Sequence, residues 1–503
     1  MKTVLELLEH TADRFPKKTA FTDETESLTY EALLREARQI GACLLPRQPR
    51  RRAVAVYLPK TVHALAACFG AAYSGGFYVV IDEQMPQERI RSIFETLSPA
   101  AVLTDEAHRA QAETLLPGGV VLLEHARTAP CDLTALDEAA REIVDTDPLY
   151  TLFTSGSTGV PKGAVVSHRS VLAYADWVTE TFSITEDTVF GNQTPFYFSM
   201  SVLDIYSTIK AGATMHIIPK KLFSFPVTLL EYLNTRQVNT LYWVPSALNI
   251  VAIWKALDYV PLPLVKTILF AGEVMPVEHL NYWIAHQRGA LFANLYGPTE
   301  VTDICTYYVV DRPFQTGETL PIGRACANCG ILVLAEDGRE AAPGEAGELL
   351  VRGSFLACGY FNNPENTAQF FIQNPCNQYY PETVYKTGDL VKFNSRGELL
   401  YLGRKDFQIK HMGYRIELGE IEAAASALPG MHENVCLYDP IRDRILLCYQ
   451  AHGLDEAAVL SGLRARVPAY MLPNKLFRLP QMPHNANGKL DRALLKTQYL
   501  SQK

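Results

Sequence analysis

Thr154-Ser155-Gly156-Ser157-Thr158-Gly159-Val160-Pro161-Lys162-Gly163 sets four hydroxyls and three glycines within ten residues and closes on Pro-Lys-Gly. The apolar run Leu149-Tyr150-Thr151-Leu152-Phe153 before it reads as a buried strand, and Ala164-Val165-Val166 after it reads as another. A loop of this composition between two strands can turn backbone N–H groups and hydroxyls toward an anion. Its glycines permit close approach, and its lysine adds a point charge. It is not the phosphate loop of the strand–GxxxxGK[ST]–helix type, because Gly163 follows Lys162. The competing reading is a Gly/Ser surface turn; the composition favours phosphate binding.

Outward from this loop, strand-like apolar runs at 53–58, 77–81, 101–103, 120–123, 214–218, 240–244 and 267–271 alternate with longer helical patterns. That alternation predicts an α/β domain of layered sheets with substantial parallel pairing, and it puts ligand loops at strand ends. Beyond Val310, runs at 331–334, 347–351 and 399–402 are separated by Gly/Asp/Asn turns and predict a β-rich subdomain. Near Lys405 a smaller α+β unit begins, with a helix expected over 417–428. At 503 residues the chain is too long for one core, so at least two domains are expected.

Composition is that of a globular protein, 48% hydrophobic and 20% charged. A net charge of −8 argues against a nucleic-acid partner. Arg47, Arg50, Arg51 and Arg52 read as a solvated loop before a strand. No apolar stretch has the length of a membrane span. The N-terminal run carries acids inside its apolar pattern, so it reads as an amphipathic helix and not as a signal peptide. A cytoplasmic, reducing compartment is therefore expected, with the ten cysteines as free thiols. The same reading covers Cys326 and Cys329, a lone C-x-x-C with no second pair.

Four more segments matter: Asn294-Leu295-Tyr296-Gly297-Pro298-Thr299-Glu300, Tyr385-Lys386-Thr387-Gly388-Asp389-Leu390, Gly403-Arg404-Lys405-Asp406-Phe407-Gln408-Ile409-Lys410 and Asn487-Gly488-Lys489-Leu490-Asp491. Each alone is a set of turn residues and solvated charges. In this order and spacing, together with the opening loop, they resemble the core motifs of the adenylate-forming (AMP-binding) superfamily, which includes acyl-CoA synthetases, luciferases and adenylation domains of nonribosomal peptide synthetases. The resemblance runs over essentially the whole chain. It implies a large N-terminal domain, 1–405, of layered α/β sheets plus a distorted β-barrel, and a small mobile α+β C-terminal domain, 406–503, that carries a catalytic lysine.

The resemblance also implies roles for single residues. Thr154, Ser155, Gly156, Ser157, Thr158 and Lys162 would hold the β- and γ-phosphates of ATP. Thr299 would contact the α-phosphate and Glu300 would hold Mg2+, a hard cation suited to carboxylate and phosphate oxygen. Asn294 and Tyr296 would hold adenine over Ala271, Gly272 and Glu273. Asp389 would bind the ribose hydroxyls with Arg404 nearby, and Lys489 would bridge the substrate carboxylate and the α-phosphate. Asp406 falls at the family's hinge. A carboxylic acid and ATP would give an acyl-adenylate and pyrophosphate, and a thiol would then take the acyl group.

Gln408-Ile409-Lys410-His411-Met412-Gly413-Tyr414-Arg415-Ile416-Glu417 resembles the form found in peptide-synthetase adenylation domains and D-alanine:carrier-protein ligases. It favours the phosphopantetheine arm of a carrier protein over free coenzyme A as acceptor. No Asp-Ser-Leu attachment motif follows Lys489, so the chain reads as a freestanding ligase acting in trans. One departure stands out. Where those relatives place an aspartate for the substrate's α-ammonium, after the Phe matching Phe198, this chain has Ser199. A buried ammonium without a carboxylate partner is costly, so the ordinary mode of α-amino-acid recognition is not expected. The remaining pocket positions are Met200, Leu203, Tyr242, Leu269, Ala271, Leu295, Asp303 and Ile304, an apolar lining with one acid. Asp303 either meets a polar group of an amino-acid-like, aryl or hydroxy acid, or turns outward. Two other functions compete: an acyl-CoA ligase for an aryl or short-chain acid, and a non-catalytic nucleotide-binding protein. The presence of Lys162, Glu300, Asp389 and Lys489 together speaks against the latter.

Overall fold

The computed structural model describes residues 1–156, 161–484 and 490–500. The chain forms two compact units. The larger comprises Met1–Glu83, Leu97–Leu152 and Gly163–Lys405, and the smaller comprises Gln84–Thr96, Phe153–Lys162 and Asp406–Lys503. Among the described residues no helix is long and apolar enough to cross a membrane.

Two mainly parallel sheets and an antiparallel one build the larger unit. The first runs, edge to edge, Arg324–Ala325, Thr306–Val309, Leu291–Tyr296, Thr267–Phe270, Thr240–Trp243, Val189–Asn192, Thr214–Ile217, Thr19–Thr22, Ser27–Thr29, and is parallel from Leu291–Tyr296 to Thr19–Thr22. The second orders Gly359–Tyr360, Lys162–Ser167, Pro148–Thr154, Phe77–Val80, Ala53–Tyr57, Ala101–Thr104, Val120–Leu122. Strands such as Ala53–Tyr57 and Thr240–Trp243 are buried at every position, which is why they read as continuous apolar runs and not as alternating ones. Helices must then cover both faces. Val62–Tyr73 is buried on all sides and almost wholly apolar, while Tyr30–Leu44 packs its apolar stripe against the core, leaves Glu31 and Arg35 outside and buries Glu36 against His63. Their starts are fixed by Thr61 and Thr29, whose hydroxyls accept from the backbone of Ala64 and Ala32.

The β-rich segment expected beyond Val310 is an antiparallel sheet of Cys329–Leu334, Gly347–Gly353, Thr383–Phe393, Phe371–Gln373 and Leu399–Arg404. Its ladder is irregular between Leu390 and Val391, next to Asp389. Such bulges re-aim side chains.

In the smaller unit the hairpin Gln408–His411/Tyr414–Glu417 turns through Met412 and Gly413, both at positive φ (51° and 81°), the geometry that matches strand twist in a two-residue turn. The following helix is Leu418–Ser426, shorter than the 417–428 expected, because Glu417 is still a strand residue. It packs beside the sheet of Met431–Asp439, Arg444–Ala451 and Lys475–Arg478. Arg89 pairs with Glu420 here, the two side chains being 6% and 4% exposed. Arg89 Nε and Glu420 Oε2 make no hydrogen bond. A buried pair so incompletely satisfied adds little by itself, yet either partner left alone is an uncompensated interior charge. Glu420→Ala should therefore lower unfolding stability by about 3–5 kcal/mol, while the double change Arg89→Met/Glu420→Leu should recover most of it. Urea unfolding followed by tyrosine and tryptophan fluorescence measures both.

Candidate active site

Strand Leu291–Tyr296 ends the parallel run of its sheet, and the chain that leaves its carboxyl end carries Thr299, Glu300, Asp303 and Ile304. Ligands in open α/β sheets gather at this end of the strands. Gly297 is required by a close approach: a Cβ there would collide with the carbonyl oxygen of Asp303 and lie 2.6 Å from Ile304 Cα. The chain then makes the short turn Thr299–Val301 and reverses at Thr302, whose φ and ψ are 71° and −56°. Asp303 N donates to Val301 O at 2.8 Å. This is a γ-turn of the strained hand, on a β-branched residue, at a cost of order 1–3 kcal/mol. Two buried bonds hold it: Thr302 Oγ1 donates to Phe355 O at 2.8 Å, and Tyr150 OH donates to Thr302 O at 3.3 Å.

Glu300 is fully buried; the Tyr360 hydroxyl donates to its Oε1 at 2.6 Å. Thr299 Oγ1 donates to Ser199 Oγ at 3.4 Å. Asn294 donates through Nδ2 to Pro321 O at 2.7 Å, which sets its amide orientation. On the neighbouring strand end, Gly272 takes φ of 92°, and Glu273 Oε2 accepts from Ser246 N at 2.7 Å, at the start of helix Pro245–Ile253. Asp389 faces Arg404 across the antiparallel ladder. Arg404 Nη1 donates to Asp389 Oδ1 at 2.9 Å and to Thr387 O at 3.1 Å, and the Tyr296 hydroxyl donates to Asp389 Oδ2. A carboxylate held at both oxygens still has lone pairs for a diol.

The positions expected to line the acyl pocket are mostly buried. Met200, Leu203, Tyr242, Leu269, Ala271, Leu295 and Ile304 are buried, and Phe198 and Ser199 are partly so. Asp303 does not turn outward. It is 1% exposed, and its Oδ2 accepts from Tyr174 OH at 2.7 Å and Tyr242 OH at 2.9 Å. Burial pushes its carboxyl up to about 7, against the pull of hydrogen bonds from Tyr174, Tyr242 and Ser199. The γ-turn at Thr302 is what directs the side chain inward.

The sequence reading gave no role to Tyr174, Tyr360, Lys60 or Asp204. Asp204, on helix Ser201–Ala211, is fully buried, accepts from Asn192 Nδ2 at 2.7 Å and is pushed up to about 8 by burial. Lys60, half-buried, donates to Gln193 O at 3.1 Å and stands 5.4 Å from the Phe196 ring centroid. Burial brings it down to about 7, opposed by the attraction of Asp204.

In the smaller unit, Thr154 ends strand Pro148–Thr154 and its hydroxyl donates to Lys162 O at 3.4 Å. Ser155 Oγ donates to Arg415 O at 2.8 Å and accepts from Glu417 N at 3.1 Å. Gly156 follows in the loop, and Lys162 is buried as the first residue of Lys162–Ser167. Asp406 opens the C-terminal segment and accepts from Gln408 N at 3.1 Å. Ser157, Thr158 and Lys489 lie outside the described residues. Cys326 and Cys329 are thiols that burial pushes up, Cys329 to about 12. Among the described residues no group of three or more His, Cys, Asp or Glu is placed to hold a metal.

Residues 8–361 match the family model described as AMP-binding enzyme. The L-proline–[L-prolyl-carrier protein] ligase of Pseudomonas fluorescens is 33% identical over 99% of both chains. The D-alanine–D-alanyl carrier protein ligase of Bacillus cereus is 31% identical over 98% of both. Tyrocidine synthase 3 of Brevibacillus parabrevis is 31% identical over 98% of this chain, which spans 8% of that protein's length. Among solved structures, the Vibrio cholerae adenylation domain AlmE in complex with glycyl-adenosine-5′-phosphate has the same fold, with a TM-score of 0.85 at 22% identity over 99% of this chain and 98% of that one. With its match extending from the N-terminal helix to Phe361, and with relatives aligned end to end, this chain belongs to the AMP-binding enzyme family, as an AMP-forming ligase.

Proposed function

We propose that this ligase activates a small carboxylic acid with ATP and passes the acyl group to the phosphopantetheine thiol of a separate carrier protein. The observation that carries the reading is the buried Asp389, clamped by Arg404 and the Tyr296 hydroxyl as a fixed acceptor pair for a ribose diol, in the same unit as Thr299, Glu300 and the acyl pocket. The end-to-end relatives named as carrier-protein ligases support the acceptor.

In the first half-reaction a carboxylate oxygen of the acid attacks the α-phosphorus of ATP. The bond from that phosphorus to the bridging oxygen breaks, and pyrophosphate leaves. Thr154, Ser155, Gly156, Ser157, Thr158 and Lys162 grip the departing phosphates. Asn294 and Tyr296, over Ala271 to Glu273, hold the base. Thr299 orients the α-phosphate, and Lys489 offsets the charge of the two anions that must meet. Glu300 fits Mg2+: it is a carboxylate donor whose Oε1 is fixed by Tyr360, and a lone carboxylate beside phosphates is the usual provision for this ion. When bound, the ion would neutralise phosphate charge. In the second half-reaction the carrier thiol sulfur attacks the acyl carbon, the bond to the AMP oxygen breaks and AMP departs. Asp406 is assigned as the hinge between the two steps. We place the enzyme in the cytoplasm, on its need for ATP.

Lys489→Ala should abolish acid-dependent ATP–pyrophosphate exchange and largely spare acyl transfer from supplied acyl-adenylate to carrier protein; equal loss of both would remove Lys489 from this role. Thioester on coenzyme A, with none on carrier protein, would make the enzyme a coenzyme A ligase. Asp389→Asn should raise KM for ATP roughly 10- to 100-fold, the worth of a charged hydrogen bond, with KM for the acid little changed. Exchange kinetics at varied ATP and acid measure both.

A further inference from the structure

Building on the proposed acid activation, we infer that the acid carries an ammonium group and that Asp303 is its counter-ion. The residue at 199, where carrier-protein ligases resembling this chain keep the acid for an amine, is a serine that brings no charge. The charge of this pocket has moved to another wall. Asp303 enters from the strained turn at Thr302, and its partners come from three different elements. Tyr174 lies on helix His168–Thr181, Tyr242 on strand Thr240–Trp243, and Ser199 just ahead of helix Ser201–Ala211.

All three partners are neutral hydroxyls. They fix the carboxylate in place and favour its ionised form, but none supplies the positive charge that a buried carboxylate calls for. Asp389, in the same unit, shows the contrast, since it has Arg404 at 2.9 Å. The second buried acid near the pocket, Asp204, adds to the negative field around Asp303, and its own cation, Lys60, is the only one seen to pull on it among the described residues. Asp204 thus has a lysine to draw on, while among the described residues no cation is seen to pull on Asp303. An arriving ammonium settles that imbalance and takes up acceptor capacity on a carboxylate that can receive roughly four hydrogen bonds. A hydroxy acid would bring only another neutral donor, and a plain acid nothing. Ser199 lies toward both ends: its oxygen accepts from Thr299 at 3.4 Å, and its hydroxyl favours the ionised form of Asp303. The rest of the lining, Met200, Leu203, Leu269, Leu295 and Ile304, suits a short aliphatic body.

The test is ATP–pyrophosphate exchange by the full chain with D-alanine, L-alanine, β-alanine and 4-aminobutyrate, against propionate, butyrate and 3-hydroxybutyrate. At least one amino acid should exceed its amine-free match by roughly 100-fold in kcat/KM, the scale of a buried charged contact, and the best arm reports where along the substrate the amine sits. Asp303→Asn should lower the preferred amino acid by a similar factor and raise use of the amine-free match. Ser199→Asp placed on that variant should restore an α-amino acid. For the unmodified enzyme, kcat/KM with the amino acid should climb as pH rises toward about 7, where Asp303 ionises, and this limb should vanish in Asp303→Asn. Tyr174, Tyr242, Tyr150 and Cys326, which face Asp303, are all held well above that range by burial, whereas Asp204 and Lys60 titrate nearby and persist in the variant. Preference for an amine-free acid, or an equal loss with every acid in Asp303→Asn, overturns the inference. The substrate panel and pH profile of the unmodified enzyme decide it even where the variant does not fold. Exchange with no acid at all would overturn acid activation, and this inference with it.

Discussion

The reversal of the chain between Gly297 and Asp303 is the constraint on which the rest of the site depends. Strand Leu291–Tyr296 must leave its sheet and double back so tightly that Cys305 N reaches Tyr296 O at 2.9 Å. Only a residue without Cβ fits at 297, and only a backbone forced to positive φ at Thr302 completes the return. The strain persists because Phe355 and Tyr150 hold Thr302 from two sides in a region with no room to relax. What the reversal gains is position. Asn294, Tyr296, Thr299, Glu300 and Asp303 all hang from one continuous segment, so the residues assigned to base, α-phosphate, metal and acid cannot drift independently.

The buried acids fall into two classes by their partners. Asp389 has an arginine, which balances its charge. Asp303 is held by two phenols, with a serine hydroxyl also favouring its ionised form. Neutral donors fix direction without cancelling charge, and in a medium of low dielectric the difference is large. A group arranged this way is unfinished until a cation arrives. For Asp303 the arriving charge would be the substrate itself.

Much of this was legible in the sequence wherever the determinant was local. Fully buried parallel strands announce themselves as unbroken apolar runs, so 53–58 and 240–244 were placed to within a residue of Ala53–Tyr57 and Thr240–Trp243. Asp389, Arg404 and Tyr296 were named from their motifs, and the structure joins all three. Partners supplied from afar left no trace. Tyr174 meets Asp303 across 129 residues and Tyr360 meets Glu300 across 60, and each reads in its own segment as one more core aromatic. The direction of Asp303 was equally hidden, because it follows from a dihedral angle at Thr302 that no residue type announces; threonine is a poor guide to positive φ. The grouping of Gln84–Thr96 with Asp406–Lys503 was invisible for the same reason, since Arg89 meets Glu420 from a distant segment.

Serine at 199 suits the aspartate at 303. The serine hydroxyl favours the ionised form of Asp303, whereas a carboxylate at 199 would add a second anion near it, and two close anions in a low-dielectric interior resist ionising together. The serine also keeps a link to Thr299. The charge of Asp303 stands on the segment that bears Thr299 and Glu300. The residues proposed for selectivity and for chemistry therefore share a backbone, and the strained turn at Thr302 lies between them.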